Sequence, residues 1–310
     1  MIALTHTANI LGRTFAEVSN VYEDYADEKN PDRFLSIIYW LGKLAIEEEI
    51  GEKKRVVTFS PVLRERLGHH IHGEIWANDI KEALVKEGLL GRPIHVISAN
   101  MHSVMNTLFV PIALKSELKN KSNFEIYEAL SDAKNNALRN KVSKEALSNG
   151  MIYLKDDSGT NINVQIFDLS KIDKSKDEVI VVMDYAFGEQ AYETIDELLR
   201  PYQEGDKLMH LDVKSLSIMG KAGILEGGKG DIMIPSAHIF EGTADNYPFE
   251  NELTAKDFVN DDINVVEGAM ITVLGTSLQN KDILKFFYES TWNVIGLEME
   301  GAHYQKAIQS

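Results

Sequence analysis

The chain has no cysteine, so it can form neither a disulfide nor a thiolate zinc site, a pattern compatible with a reducing cytoplasm. No stretch approaches the ~20 apolar residues of a membrane span. The first residues, Met1-Ile-Ala-Leu-Thr-His6, also lack the basic segment and long apolar run of a secretory leader. The cytoplasm is the expected location. Basic residues are in deficit: 32 Lys and Arg face 48 Asp and Glu, for a formal net charge of -16. Such a surface repels phosphate backbones and anionic lipid, so neither nucleic acid nor a membrane is expected as a partner. Small polar substrates stay open. No internal repeat appears, and 310 residues with 44% hydrophobic content can bury one large or two medium cores.

The residues that carry chemistry lie between positions 211 and 305. Near the front, the apolar run of Ser217-Ile-Met-Gly-Lys-Ala-Gly-Ile-Leu225 breaks into Gly220, Lys221, Ala222 and Gly223; Gly227, Gly228 and Gly230 then lead into Asp231-Ile-Met-Ile-Pro235. The pattern predicts strand, glycine-rich loop, strand. Glycine lets backbone approach a ligand closely, so such a loop can aim N–H groups at an anion or a sugar, although it also serves as a plain tight turn.

At the back, Gly296-Leu-Glu-Met-Glu-Gly-Ala302 places Glu298 and Glu300 around Met299, after an apolar strand and before a helix predicted at residues 302–308. Carboxylates at the end of a buried strand are costly unless something satisfies them. An ionised carboxylate only accepts hydrogen bonds, and a ribose offers two neighbouring hydroxyl donors. The other reading is a pair of acids stabilising the positive end of the following helix.

The order of these segments, with the strand Ala269-Met-Ile-Thr-Val-Leu-Gly275 between them, resembles the nucleoside phosphorylase and nucleosidase superfamily. That family shows a Gly-Ser/Thr-Ala-Gly loop, a Gly-Asp-Ile-Val-Ile strand and a Glu-Met-Glu-Ala motif in the same order. The likeness runs over about residues 179–305, less than half of the chain. It implies an α/β fold with a nucleoside-phosphorylase-like mixed sheet flanked by helices. It also implies Met299 against a ribose, Glu300 accepting from the ribose hydroxyls with Glu298 beside it, and an oligomer of identical chains.

The departures from the family shape the expected reaction. A phosphorylase must hold a phosphate dianion with cations and loop N–H groups. The hexameric-type phosphorylases place an arginine two residues before the loop glycine and another after the first strand. Here Ile218 stands in the first place and Asp184-Tyr-Ala-Phe-Gly-Glu-Gln190 in the second, while lysines stand at 221 and 229. Nucleosidases of the superfamily instead activate water with a glutamate, and matching Val182 to their first strand puts Glu189 on it; Glu189 also reads as the start of a helix over residues 188–199. Family members continue past Glu-Met-Glu with a strand ending in an aspartate that protonates the departing purine, whereas this sequence stops at Ser310. That acid is therefore expected to be missing, or the sequence to be a shortened form. The internal stretch Gly91-Arg-Pro-Ile-His-Val-Ile-Ser-Ala-Asn100 has the look of that strand, with Asn100 near the aspartate position, but an asparagine cannot supply the proton.

Elsewhere, helical spacing recurs over residues 13–27 and 31–49, with Asn30 as N-cap and Pro31 at the first helical position. A short strand is predicted at 55–60, a helix from Ser60-Pro61 toward His69, and helices over 78–87 and 123–140. A strand is predicted at 93–98 and a hairpin over 151–154 and 163–167. The charged stretch Lys171-Ile-Asp-Lys-Ser-Lys-Asp-Glu178 is the expected boundary between a mainly helical N-terminal domain, 1–170, and an α/β domain, 179–310, which opens on the β-branched run Val179-Ile-Val-Val-Met183. Such an extra N-terminal domain is similar to the layout of AMP nucleosidases, and Lys221 would then meet a 5′-phosphate. His69, His70 and His72, with Glu74, do not share one helix face and read as solvated or capping residues, not a metal site; Glu47-Glu-Glu49 reads as a solvated helix end. No metal or cofactor is called for. The expected function is hydrolysis of the N-glycosidic bond of a purine nucleoside or nucleotide, the alternatives being a non-catalytic nucleoside-binding protein or a phosphorylase.

Overall fold

The structure, a computed structural model, describes residues 4, 5, 7, 8, 14–26, 29–51, 70–117, 119, 121–132, 135–241, 243, 245–258, 263–273, 281–290 and 292–310. The strand expected at 55–60, the helix after Ser60-Pro61 and His69 lie outside the described residues, as do the side chains of Glu48 and Glu49. The chain divides into two units, Met1–Gly68 and His69–Ser310. In the first, helices α1 (Phe15–Tyr25) and α2 (Arg33–Glu49) follow the predicted periodicity. Their apolar stripes meet in a small cluster of Leu4, Ala8 and Val18 with Tyr22, Phe34 and Leu35. Asn30 opens the second helix through a turn, its carbonyl accepting from Arg33 N at 3.2 Å.

The second unit begins with α3 (Ile71–Lys86), β1 (Pro93–Ser98), α4 (Ser103–Ala113), α5 (Asn123–Ser131) and α6 (Asn136–Ser148). The single helix expected over 123–140 is thus two: Ser122 caps the first through a reciprocal box with Glu125, and that helix ends at Ser131. Then come β2 (Ile152–Leu154), β3 (Val164–Asp168), β4 (Val179–Met183), α7 (Gln190–Leu199), β5 (Tyr202–Glu204), β6 (Lys207–Met209) and β7 (Asp212–Ile218). The remaining elements are β8 (Gly223–Ile224), β9 (Ile232–Phe240), β10 (Asn246–Pro248), β11 (Val265–Thr272), α8 (Lys281–Tyr288), β12 (Val294–Glu298) and α9 (Gly301–Gln309).

One five-stranded sheet runs β2-β3-β4-β1-β7 and a second runs β10-β9-β11-β12-β8. Side chains alternate across the first sheet, which explains its unbroken apolar runs. Val179, Val181 and Met183 pack with α3, α7 and α9 on one face, through Trp76, Ile195 and Tyr304. Val182 and Phe167 pack with α4, α5 and α6 on the other, through Phe109, Ile126 and Val142. In the second sheet Ile271 and Leu297 pack against Phe287 of α8. The architecture is α/β, with mixed sheets flanked by helices.

Two placements differ from the order read along the chain. The segment 171–178, expected as a domain boundary, lies inside the second unit and connects β3 to β4, which pair antiparallel with Asp168 opposite Val179. The strand Pro93–Ser98 stands in the interior of the first sheet, parallel to both β4 and β7. Strands from distant parts of the chain thereby deliver their C-terminal ends to a common edge, where open α/β sheets place their ligands.

Candidate functional site

The second sheet sets the geometry. Register aligns the ends of β9, β11 and β12, so that Phe240, Thr272 and Glu298 lie side by side. Glu298 is mostly buried, its side chain 11% exposed, and its oxygens are committed. Oε1 accepts from the Thr272 hydroxyl and lies 3.3 Å from His238 Nδ1. Oε2 accepts from the N–H of Glu300 at 2.6 Å and from the N–H of Gly301. Thr272 Oγ1 in turn accepts from Ala302 N at 2.8 Å. The strand end thus supplies the oxygens that the free N–H groups of the next helix need. Burial pushes the Glu298 carboxyl up, but its bonds to His238, Thr272 and Gly301 outweigh that and hold it below the usual carboxylate range.

Gly301 is fixed by the same packing, because a Cβ there would collide with the His238 imidazole. Gly301→Ala is expected to cost about 1–3 kcal/mol through overpacking. It should lower Tm by about 2–4 °C per kcal/mol. Calorimetry checks this; an unchanged Tm would show that the ring moves aside freely.

Glu300 has a different environment. It occupies the N-cap position of α9, and its Oε1 accepts from Gly188 N at 3.0 Å. Gly188 has a φ of 57°, a left-handed conformation that glycine adopts without strain. Burial pushes the Glu300 carboxyl up, with the Glu298 charge adding to this, while the bond from Gly188 opposes it. Met299 turns toward the apolar cluster of Ile271, Phe287 and Leu297. Tyr304 fixes α9 to the first sheet: its hydroxyl shares a 2.8 Å hydrogen bond with Ser98 Oγ, and burial pushes the phenol up to about 12.

The glycine-rich loop joins the two sheets. Met219 N donates to the Ser98 carbonyl at 2.9 Å, at the end of β1, and Gly223 pairs with Leu297, next to Glu298. Gly220, Lys221, Ala222 and Gly223 are exposed between these anchors. A Cβ on Gly220 would meet nothing within 4 Å, so open space lies over the loop there. Glu189 is exposed at the N-cap of α7 and makes no side-chain capping bond. Asn100 follows β1, its Oδ1 accepting from Ser103 N at 3.0 Å and Ser103 Oγ at 2.9 Å.

Glu298, Met299, Glu300, the 220–223 loop, Glu189 and Asn100 therefore all lie at or just after the C-terminal ends of strands, although they come from four segments of the chain. The partners His238, Thr272 and His303 had no separate signal, except that His303 recurs three residues after Glu300. An apolar cleft of about 500 Å³, lined by Phe240, Phe286, Phe287 and Trp292 among others, opens beside the strand ends. The loop 276–280 lies outside the described residues.

The histidine group divides. His72 Nδ1 donates to the Ser158 carbonyl at 2.6 Å, whereas His70 stands with Asp196 and Glu197, their ligand atoms within 4.8 Å of one another. Arg200 bridges those two carboxylates at 2.7 and 2.8 Å, so the acids already have a cationic partner, and Lys81 Nζ donates to the Glu197 backbone carbonyl at 2.7 Å. Among the described residues, no helix is long and apolar enough to cross a membrane.

The model of a family of unknown function, DUF6909, matches residues 113–310, more than half of the chain. No curated protein matches the sequence. Among solved structures the chain is similar to a futalosine hydrolase mutant of Helicobacter pylori strain 26695, at 13% identity with a TM-score of 0.39, over 70% of this chain and 82% of that one.

Proposed function

The chain belongs to DUF6909, a family of unknown function, and we propose from its own residues that it hydrolyses the N-glycosidic bond of a purine nucleoside or nucleotide. The observation that carries this reading is the half-buried Glu300, held at the start of α9 by the Gly188 N–H at the shared strand edge. A carboxylate so placed retains acceptor capacity for a ribose diol. Met299 completes the sugar contact. Glu298, its oxygens committed within the chain, serves the ribose indirectly by fixing Glu300 and α9.

In the proposed step Glu189 takes a proton from water as the water oxygen bonds to C1′. In this dissociative step the C1′–N bond breaks with its electron pair passing to the base, which takes up a proton from solvent because asparagine at position 100 cannot supply one. Glu300, with Met299, holds the ribose as positive charge develops on it. The apolar cleft offers aromatic walls for the nucleobase. The resemblance also supports a homo-oligomer as the acting form, and the lack of cysteine fits a reducing cytoplasm.

The decisive experiment incubates the chain with a nucleoside and nucleotide panel, with and without phosphate, and reads free base. Release without phosphate supports hydrolysis, and release only with phosphate supports a phosphorylase. Binding without release supports a non-catalytic binder, a reading favoured specifically by asparagine at position 100. Lys221 is proposed to face a 5′-phosphate from the exposed loop. Lys221→Ala should weaken a 5′-nucleotide by up to about fivefold, as for an exposed charge pair, and leave the nucleoside unaffected. Equal weakening of both in titration calorimetry would make Lys221 a structural residue.

A further inference from the structure

We infer that His303 is a positioning residue for Glu189, the imidazole and carboxylate forming one acid–base unit. Its catalytic consequence rests on the nucleosidase reading above, whereas the pairing itself does not. Helix α9 lies along α7, and contacts bracket the position. At one end Gly188 N donates to Glu300 Oε1 at 3.0 Å. Farther along, Lys306 Nζ sits 4.6 Å from the centre of the Tyr192 ring. Glu300, His303 and Lys306 recur at three-residue spacing and share a face, and Glu189 lies between Gly188 and Tyr192 on the other side. His303 therefore stands level with Glu189.

The imidazole is half-buried, with the Phe240 ring edge-on at 4.7 Å. Burial pushes its pKa down, Glu189 from the start of α7 and Glu298 from the end of β12 act in the opposite direction, and Lys306 on its own helix adds to the lowering. The ring N–H can donate to an acceptor across the helix pair. Glu298 is committed to Thr272, His238 and two backbone N–H groups. Glu189, exposed at the start of α7 with no capping bond of its own, is the other carboxylate whose charge acts on the ring, and a turn of its side chain toward α9 would let it receive the imidazole N–H. So held by one oxygen, it would keep the other for water, its orientation set by a ring that packs edge-on against Phe240.

The test has a structural and a kinetic arm, both on the full chain. Histidine-ring NMR titration, with His303 assigned through His303→Gln, should show Glu189→Gln moving the His303 midpoint down by about half a pH unit or more, because a neighbouring negative charge favours the protonated ring. An unmoved midpoint overturns the pairing. In base release, His303→Gln should lower kcat 10- to 100-fold with KM unchanged, should cost nothing further in a Glu189→Gln background, and should be partly rescued by His303→Asn but not by His303→Leu. Equal losses in both backgrounds would make His303 merely structural and overturn the inference. A shifted midpoint with no base released from any nucleoside by the unmodified chain would uphold the pairing and overturn the nucleosidase reading instead.

Discussion

Glu300→Gln is expected to weaken ribonucleoside binding by about 10- to 150-fold, the loss of a charged hydrogen bond worth roughly 1.5–3 kcal/mol. Both oxygens of an ionised carboxylate accept, and this one already receives the Gly188 N–H on Oε1. The amide replaces one acceptor with a donor, so either Gly188 or the ribose diol faces the wrong group. Glu300→Ala should lose at least as much. Because burial raises the carboxyl and the Glu298 charge adds to it, protonation begins at a higher pH than for a free glutamate. Ribonucleoside affinity should therefore fall as pH drops through that raised value, while a 2′,3′-dideoxynucleoside, which has no diol, should be indifferent. Titration calorimetry across a pH series gives both results. Unchanged affinity in both variants, with Tm preserved, would remove Glu300 from the ribose site.

The sequence carried the local elements well where one face or two had to be buried. The run Val179–Met183 is apolar throughout and β-branched up to Met183 because helices cover it on both sides, and the carboxylates at the end of β12 do mark the start of a helix. The division of labour between those carboxylates was not legible. Glu298 and Glu300 look equivalent in sequence. They differ because Thr272 and His238, 26 and 60 residues away, reach Glu298 through the register of β9, β11 and β12. The place of β1 was hidden for a similar reason: chain order does not say which strands become neighbours, and a parallel strand enters a sheet wherever a helical crossover delivers it. Glu189 shows the limit for a single side chain. A carboxylate before a helix reads as a cap, and only the structure shows that it makes no capping bond.

The placement of β1 gives the other large expected effect: Asn100→Asp should raise base release by about 10²-fold or more at mildly acidic pH, within the range that a positioned general acid contributes. The superfamily this chain resembles has an aspartate at the end of such a strand. Here the strand lies between β4 and β7, with Met219 N on the Ser98 carbonyl binding its end to the glycine-rich loop. Asn100 Oδ1 accepts from Ser103 N and Ser103 Oγ at the start of α4, leaving an amide nitrogen that donates a hydrogen bond but cannot surrender a proton to a leaving base at neutral pH. An aspartate keeps the accepting oxygen and presents a second one that can be protonated. The same Ser103 bonds and the helix dipole favour its ionised form, so the acid is populated mainly at low pH. The gain should thus be large near pH 5 and shrink toward pH 8, with a new alkaline limb in the kcat profile. Asn100→Ala should show no such limb. If Asn100→Asp folds with an unchanged Tm and matches the unmodified chain at every pH, Asn100 does not face the leaving base, and the proton must reach it from solvent or from another residue.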